Sequence, residues 1–192
     1  ELGGRGGGAL TLLAAAGNPW MATHLHGYYL EVGTTALVAA AFALVLSSRG
    51  GRVPGPSLAL GLVAGLGMLS KWSFLLFVGP GLLWSAVVAL GRKGSARWLG
   101  LASFGCLVFT LALLHASRDL AARGFPWVPY ALSAFAWMLL AVLACRRWRT
   151  AGWNAGVGTA LGWALSFLVC GWWYFLSVWE LQTKASGDAG QG

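Results

Sequence analysis

The chain alternates long apolar runs with short polar connections. The apolar runs predict helices near residues 9–19, 33–47, 58–70, 73–90, 99–116, 128–145 and 155–179. A helix needs roughly 20 apolar residues to cross a bilayer, and most of these runs approach that length. We therefore expect an all-α polytopic transmembrane helical bundle with about seven membrane helices. Residues 1–184 form this domain, and residues 185–192 form a flexible tail.

The third and fourth runs leave two arrangements open. The third run is short, and it is followed almost directly by the fourth across Lys71. The two segments either cross separately or join as a kinked or re-entrant pair, with Pro80 as a further kink point.

The composition excludes a water-soluble domain. Hydrophobic residues make up 58% of the chain and charged residues only 9%, whereas soluble domains carry about 25% charged residues. The net charge of +8 does not indicate nucleic-acid binding, because the basic residues lie between apolar runs. Bases in such places are topology signals and contacts to anionic lipid headgroups.

The distribution of charge predicts the orientation. With the N-terminus inside, nine of the 13 basic residues lie on the cytoplasmic side, and four of the five acids lie outside. This agrees with the positive-inside rule. The inner bases are Arg5, Arg49, Arg52, Arg92, Lys93, Arg97, Arg146, Arg147 and Arg149.

Three other residue types fit a membrane bundle. Gly61-x-x-x-Gly65, Gly152-x-x-x-Gly156 and Gly158-x-x-x-Gly162 have the spacing that permits close helix approach, although glycine is frequent throughout the chain. The three cysteines lie in apolar runs without C-x-x-C spacing, so we interpret them as small buried residues. Nine of the 12 tryptophans lie near predicted helix ends, at the level of the headgroups: Trp20, Trp72, Trp98, Trp127, Trp148, Trp153, Trp172, Trp173 and Trp179.

The polar residues with candidate chemistry are concentrated between residues 18 and 31. Glu31 is the strongest candidate, because an ionisable group at the mouth of a membrane helix is a functional candidate by default. Its alternative role is that of a helix-capping acid, which the helix dipole favours. His24, Tyr28 and Glu31 share one face if the segment is helical, whereas His24 and His26 share a face if it is extended.

Either arrangement places imidazoles near a carboxylate. His24, His26 and Glu31 are therefore candidate ligands of a divalent cation, although their spacing is no specific metal signature. Anchoring of a loop at headgroup level is the alternative role of the histidines and Tyr28. No other cofactor is indicated.

A second candidate is Lys71. Its ammonium lies in the middle of a long apolar region, where it either neutralises a lipid phosphate or extends to the interface. Weaker candidates on the same predicted side are His115, the pair Arg118 and Asp119, and Glu180. The chain has no phosphate-binding G-x-x-x-x-G-K-[ST] loop, no G-x-S-x-G elbow and no H-E-x-x-H motif.

Two segments flank an apolar helix. The first, residues 18–31, contains Asn18-Pro19-Trp20, His24 and Tyr28-Tyr29-Leu30-Glu31, and the second is Gly65-Leu66-Gly67-Met68-Leu69-Ser70-Lys71-Trp72. This pattern resembles the polyprenyl-phosphate-sugar glycosyltransferases of GT-C fold, in particular the protein O-mannosyltransferases and the aminoarabinose transferases of lipid A. The resemblance covers residues 10–90.

The resemblance implies a GT-C-like transmembrane core and a sugar donor carried on a polyprenyl phosphate. The sugar would be transferred to a hydroxyl of a glycan, lipid or protein at the non-cytoplasmic face, in the inner membrane if the source is bacterial. Lys71 would hold the donor phosphate, and Glu31 would line the donor or acceptor pocket. The histidines match the family only loosely.

Two departures from the family concern the site. The family usually has Asp at the position of Glu31, and it often has Pro at the position of Gly33. The catalytic Asp of the family's first outer loop would lie upstream of Glu1. We therefore expect an internal segment of a longer enzyme; a cleaved signal peptide at the N-terminus is the alternative. A non-enzymatic membrane subunit or a transporter is the competing function.

Overall fold

The structure is a computed structural model that describes residues 29–70, 74–122 and 127–188. Across these ranges the regular secondary structure is entirely helical, as predicted. The first predicted helix, at residues 9–19, lies outside the described residues, so the total of seven membrane helices stays a prediction. The helices are α1 (Tyr29–Ser48), α2 (Pro54–Ser70), α3 (Phe74–Leu90), α4 (Ser95–Ala122), α5 (Val128–Ala151) and α6 (Ala155–Asp188).

Each of these helices corresponds to one predicted apolar run, but several are longer than the run. α4 begins four residues before residue 99 and ends at Ala122, and α6 continues past residue 179 to Asp188. Residues 185–188 of the predicted tail thus belong to α6. Backbone hydrogen bonds extend a helix into polar sequence as readily as into apolar sequence. The apolar run therefore marks the part suited to hydrocarbon, and not the helix ends.

Three helices are long and apolar enough to cross a membrane, namely those at Ser95–Ser117, Val128–Ala151 and Ala155–Ser177. Three further apolar helices, at Gly33–Ser48, Pro54–Ser70 and Phe74–Leu90, are shorter. The described part of the chain is compatible with an integral membrane protein.

The first three helices run in alternating directions. Thr34, near the start of α1, contacts Ser70 at the end of α2. Phe74, at the start of α3, lies against Gly67, and Val88 near the end of α3 lies against Gly50. α2 and α3 are therefore two antiparallel helices and not one kinked helix, and α3 continues as one helix through Pro80.

The last three helices continue the alternation. Gly156 at the start of α6 packs on Ala96 at the start of α4, and Trp137 of α5 donates a hydrogen bond to Thr110 of α4. α6 runs parallel to α2 and packs against it more extensively than any other pair of helices.

The α2–α6 interface is built on glycine. A side chain at Gly61 would overlap the backbone of Gly162, and one at Gly65 would overlap Val169. The close approach predicted from the Gly61 and Gly158 motifs is confirmed. In the Gly152 motif only Gly156 makes such a contact, with Ala96, since a Cβ added at Gly152 would meet nothing within 4 Å.

One turn requires glycine for two reasons. Gly51 has a φ of 85° in the connection between α1 and α2, a conformation that side chains disfavour. A Cβ at Gly51 would also meet the carbonyl of Ala155, and a Cβ at Gly158 would overlap the backbone of Gly51, so a side chain at either residue would separate the turn from α6.

α6 forms the centre of the bundle. Its buried residues Val157, Ala160 and Ala164 belong to a core that includes Trp137 and Leu140 of α5. By contrast, α3, α4 and α5 expose large apolar side chains on their outer faces. A soluble monomer does not expose an apolar surface of this extent, whereas lipid tails cover it in a membrane.

Eight basic residues lie at one end of the bundle, around the starts of α2, α4 and α6. All eight are exposed, and the acids of the described helices lie elsewhere, in the first turn of α1, near the end of α4 and in the C-terminal half of α6. We call these bases the basic face: Arg49, Arg52, Arg92, Lys93, Arg97, Arg146, Arg147 and Arg149.

Candidate functional site at the ends of α1 and α2

The candidate site lies at the end of the bundle opposite the basic face. α1 begins at Tyr29, so Glu31 lies in its first turn. Backbone N–H groups there have no partner inside the helix, and the helix dipole favours a carboxylate. The placement of Glu31 is thus consistent both with a site and with the alternative of a helix-capping acid.

A hydrogen bond between two hydroxyls connects α1 to the end of α2. Thr34 Oγ1 lies 3.1 Å from Ser70 Oγ. Thr34 is three residues after Glu31, which is about one helical turn, and Ser70 directly precedes Lys71 in the sequence. The helical turn that follows Glu31 is therefore in contact with the residue that precedes Lys71.

Side-chain hydroxyls also bind the last carbonyls of α2. Tyr174 of α6 donates to the carbonyl of Met68 at 2.8 Å, and Ser70 donates to the carbonyl of Gly67 at 2.8 Å. The final carbonyls of a helix lack partners within it, and an unpaired carbonyl in hydrocarbon is costly. These bonds hold the last turn of α2 in place.

Apolar contacts hold the same end in place. The ring of Phe74 is buried against Gly67, which has no side chain to keep it away. Cys170 of α6 lies with its Sγ 3.9 Å from Met68 Sδ. α1, α3 and α6 thus all contact the last turns of α2.

Most of the predicted site residues are not among the described residues. His24, His26, Tyr28 and Lys71 lie outside the described residues, and for Glu31 only the backbone is described. Their roles in substrate binding stay predictions. Of the weaker candidates, His115 is exposed on α4.

The described helices do not test whether His24, His26 and Glu31 bind a divalent cation. Residues 29–70, 74–122 and 127–188 contain no group of three His, Cys, Asp or Glu side chains placed to hold an ion. The proposed ligands His24 and His26 are not in these ranges, so a divalent cation at this end stays a prediction. Cys170 is buried, as predicted, whereas Cys106 and Cys145 are only partly buried; all three are free thiols.

A second polar cluster lies in the half of the bundle nearer the basic face. Ser48, Ser57, Ser85, Thr159 and Trp163 line a cavity of about 10 Å³. A cavity needs roughly 10–15 Å³ to hold one water, so this space is water-sized. The hydroxyl of Thr159 lies within hydrogen-bond distance of carbonyls on two helices, 3.1 Å from that of Ser85 and 2.8 Å from that of Ala155, which share its one proton. We interpret the cluster as helix packing and not as a substrate site.

Sequence reasoning missed the residues that position the end of α2. Tyr174 and Thr34 are 106 and 36 residues away from their partners in the sequence. The available signal was weak: two hydroxyl residues, Thr34 and Thr35, directly precede the apolar run of α1. A polar group in such a place needs a partner from a neighbouring helix.

Comparison with known proteins adds no relative: the chain matches no family model, no curated protein and no solved structure.

Proposed function

We propose that this chain is part of a membrane-embedded glycosyltransferase of the GT-C type. It would transfer a sugar from a polyprenyl-phosphate donor to an acceptor hydroxyl at the non-cytoplasmic face of the membrane. The proposal rests on the resemblance of residues 18–31 and 65–72 to that family. Its main structural support is the contact between Thr34 and Ser70, which brings the helix turns next to Glu31 and Lys71 together.

The charge distribution supports the proposed side of the membrane. The basic face and the candidate site lie at opposite ends of the described bundle. Since basic ends face the cytoplasm in most membrane proteins, the site would face outward, where polyprenyl-linked sugars are used by the family that the chain resembles.

The proposed mechanism assigns binding and orientation to the two charged residues. The Lys71 ammonium would stabilise the phosphate that leaves with the polyprenol, because a fixed cation lowers the energy of a developing negative charge. Glu31 would orient the sugar or the acceptor hydroxyl. Inverting attack on the anomeric carbon also needs a general base, a role that the resemblance does not give to either residue.

The test is sugar transfer in membranes that contain the protein, with polyprenyl-phosphate mannose and polyprenyl-phosphate aminoarabinose as labelled donors. Glu31→Ala should reduce transfer by about 100-fold or more, the size typical of losing an orienting or electrostatic contact. Glu31→Asp should retain much of the activity, because the family carries Asp there. Asp188→Ala serves as the matched control, because Asp188 lies 14 residues beyond Tyr174 on α6, roughly 21 Å further along the helix than the contact with α2.

Lys71 gives a second arm with a different readout. Lys71→Ala should raise the KM for the donor, and Lys71→Arg should restore part of the affinity because it keeps the positive charge. Unchanged transfer in Glu31→Ala would remove Glu31 from the site, and transfer no greater than in membranes without the protein would favour the competing function, a non-enzymatic membrane subunit or transporter.

A further inference from the structure

The basic face is one continuous surface, although its residues come from three separate connections. Trp153, just before α6, donates its indole N–H to the carbonyl of Gly51 at 2.9 Å. This bond holds the α1–α2 turn, with Arg49 and Arg52, against the connection that follows the last turn of α5. Gly50 lies against Val88 near the end of α3, and Gly156 lies against Ala96 at the start of α4.

No acid of the described helices offsets this charge. The described acids lie at the start of α1 or in the later parts of α4 and α6, away from the basic face. Its bases are exposed at helix ends and in the connections 49–53 and 91–94. Clusters of about four to eight Lys and Arg next to membrane helices attract anionic lipids.

Tryptophans place this surface at the depth of the headgroups. Trp148 and Trp153 contact each other edge to face, with ring centroids 5.2 Å apart, and Trp98 at the start of α4 is 72% exposed. Indole rings at helix ends prefer the interface between hydrocarbon and water. Because the connections are short, the exposed bases stay close to this layer.

We infer that the basic face binds the headgroups of anionic phospholipids in the leaflet that it contacts. The recognised chemistry is a lipid phosphate whose net negative charge is not cancelled by a headgroup amine. The three arginines at the end of α5, beside Trp148 and Trp153, form its densest part. This inference is independent of the proposed sugar transfer, which would take place at the opposite end.

The test is lipid selectivity of the full chain in proteoliposomes. Spin-labelled phosphatidylglycerol and phosphatidylcholine report, by electron paramagnetic resonance, how strongly each lipid associates with the protein. The chain should prefer phosphatidylglycerol. In a variant with Arg146→Gln, Arg147→Gln and Arg149→Gln, the relative association constant should fall about fivefold for each side chain that contacts a headgroup.

Two controls separate charge from folding. Replacing the same three arginines with lysine keeps the charge, so the preference should persist. A second variant, Arg49→Gln with Arg52→Gln, tests the face at another connection if the first variant fails to fold. High salt should weaken the preference, because it shortens the range of exposed charges.

Three results would overturn the inference. The first is equal association of both lipids with the unmodified chain. The second is full retention of the preference in folded glutamine variants. The third is loss of the preference when inorganic phosphate replaces chloride at equal ionic strength, since that would assign the face to a soluble anion.

Discussion

α6 and α4 are both long apolar helices, yet they occupy opposite environments. In the most apolar stretch of α6, 67% of the residues are buried within the protein, compared with 17% in that of α4. By sequence, however, α4 is the more apolar of the two. Hydropathy therefore does not tell which helix is central. In a membrane, lipid tails are as apolar as leucine, so the central helix is the one whose small residues permit close packing.

The largest expected effect concerns the glycine contacts of α6. Gly61→Leu should prevent α2 from approaching Gly162 of α6, because a Cβ at Gly61 already overlaps backbone atoms. We expect a loss of about 3 kcal/mol or more in the free energy of unfolding, at the upper end of overpacking effects. The measurement is reversible unfolding in mixed micelles.

Gly105→Leu is the matched control for this change. Gly105 is exposed on α4, and a Cβ added there would meet no other part of the described protein within 4 Å, so the new side chain should meet lipid and change stability by less than about 0.5 kcal/mol. Equal losses in both variants would contradict the distinction between the two helices.

A smaller effect is expected for a hydroxyl of the central helix. Thr159→Val removes, from a buried position, the single hydroxyl proton that the carbonyls of Ser85 and Ala155 share. The loss should be about 1–2 kcal/mol, because the carbonyl of Ser85 gives up a donor in an apolar environment. In Thr150→Val the lost bonds are local and exposed, at the end of α5, so stability there should hardly change. Thermal unfolding of both variants compares the two sites.

The smallest effect is expected between the outer helices. Thr110→Val removes the acceptor of the Trp137 indole N–H, which lies 2.9 Å away. Hydrogen bonds between membrane helices contribute about 0.6 kcal/mol on average, so the loss should be near that value. A loss larger than that of Thr159→Val would mean that α4 and α5 are held together by polar contacts more than α6 is.

The sequence predicted the helices better than it predicted their neighbours. Six of the predicted helices correspond to α1–α6, because hydrocarbon thickness sets the length of an apolar run. The contact of Gly61 with Gly162 was anticipated only as a motif without a partner. Which helices pack together depends on the shape of both surfaces, and a single sequence does not encode that in any local pattern.

One feature of the candidate site, the position of Glu31, was also predictable from an apolar run. The first-turn position of Glu31 in α1 follows from where the apolar run begins. The hydrogen bond of Tyr174 to the end of α2 joins residues far apart in the chain. Nothing near Tyr174 in the sequence indicates it, because the bond exists only once α6 lies beside α2.

The most direct test of the account is a disulfide crosslink between α1 and α2. The proposed function depends on these helices placing Glu31 and Lys71 at the same end of the bundle. In a chain whose native cysteines are replaced by alanine, Thr34→Cys with Ser70→Cys should form a disulfide under mild oxidation, since the two hydroxyl oxygens are 3.1 Å apart. Mass spectrometry of the linked peptides provides the readout.

Thr34→Cys with Gly94→Cys is the control pair, because Gly94 lies among the bases at the opposite end. The account predicts efficient crosslinking of the first pair and none of the second. Failure of the Thr34–Ser70 pair to crosslink in folded protein, or equal crosslinking of both pairs, would contradict it.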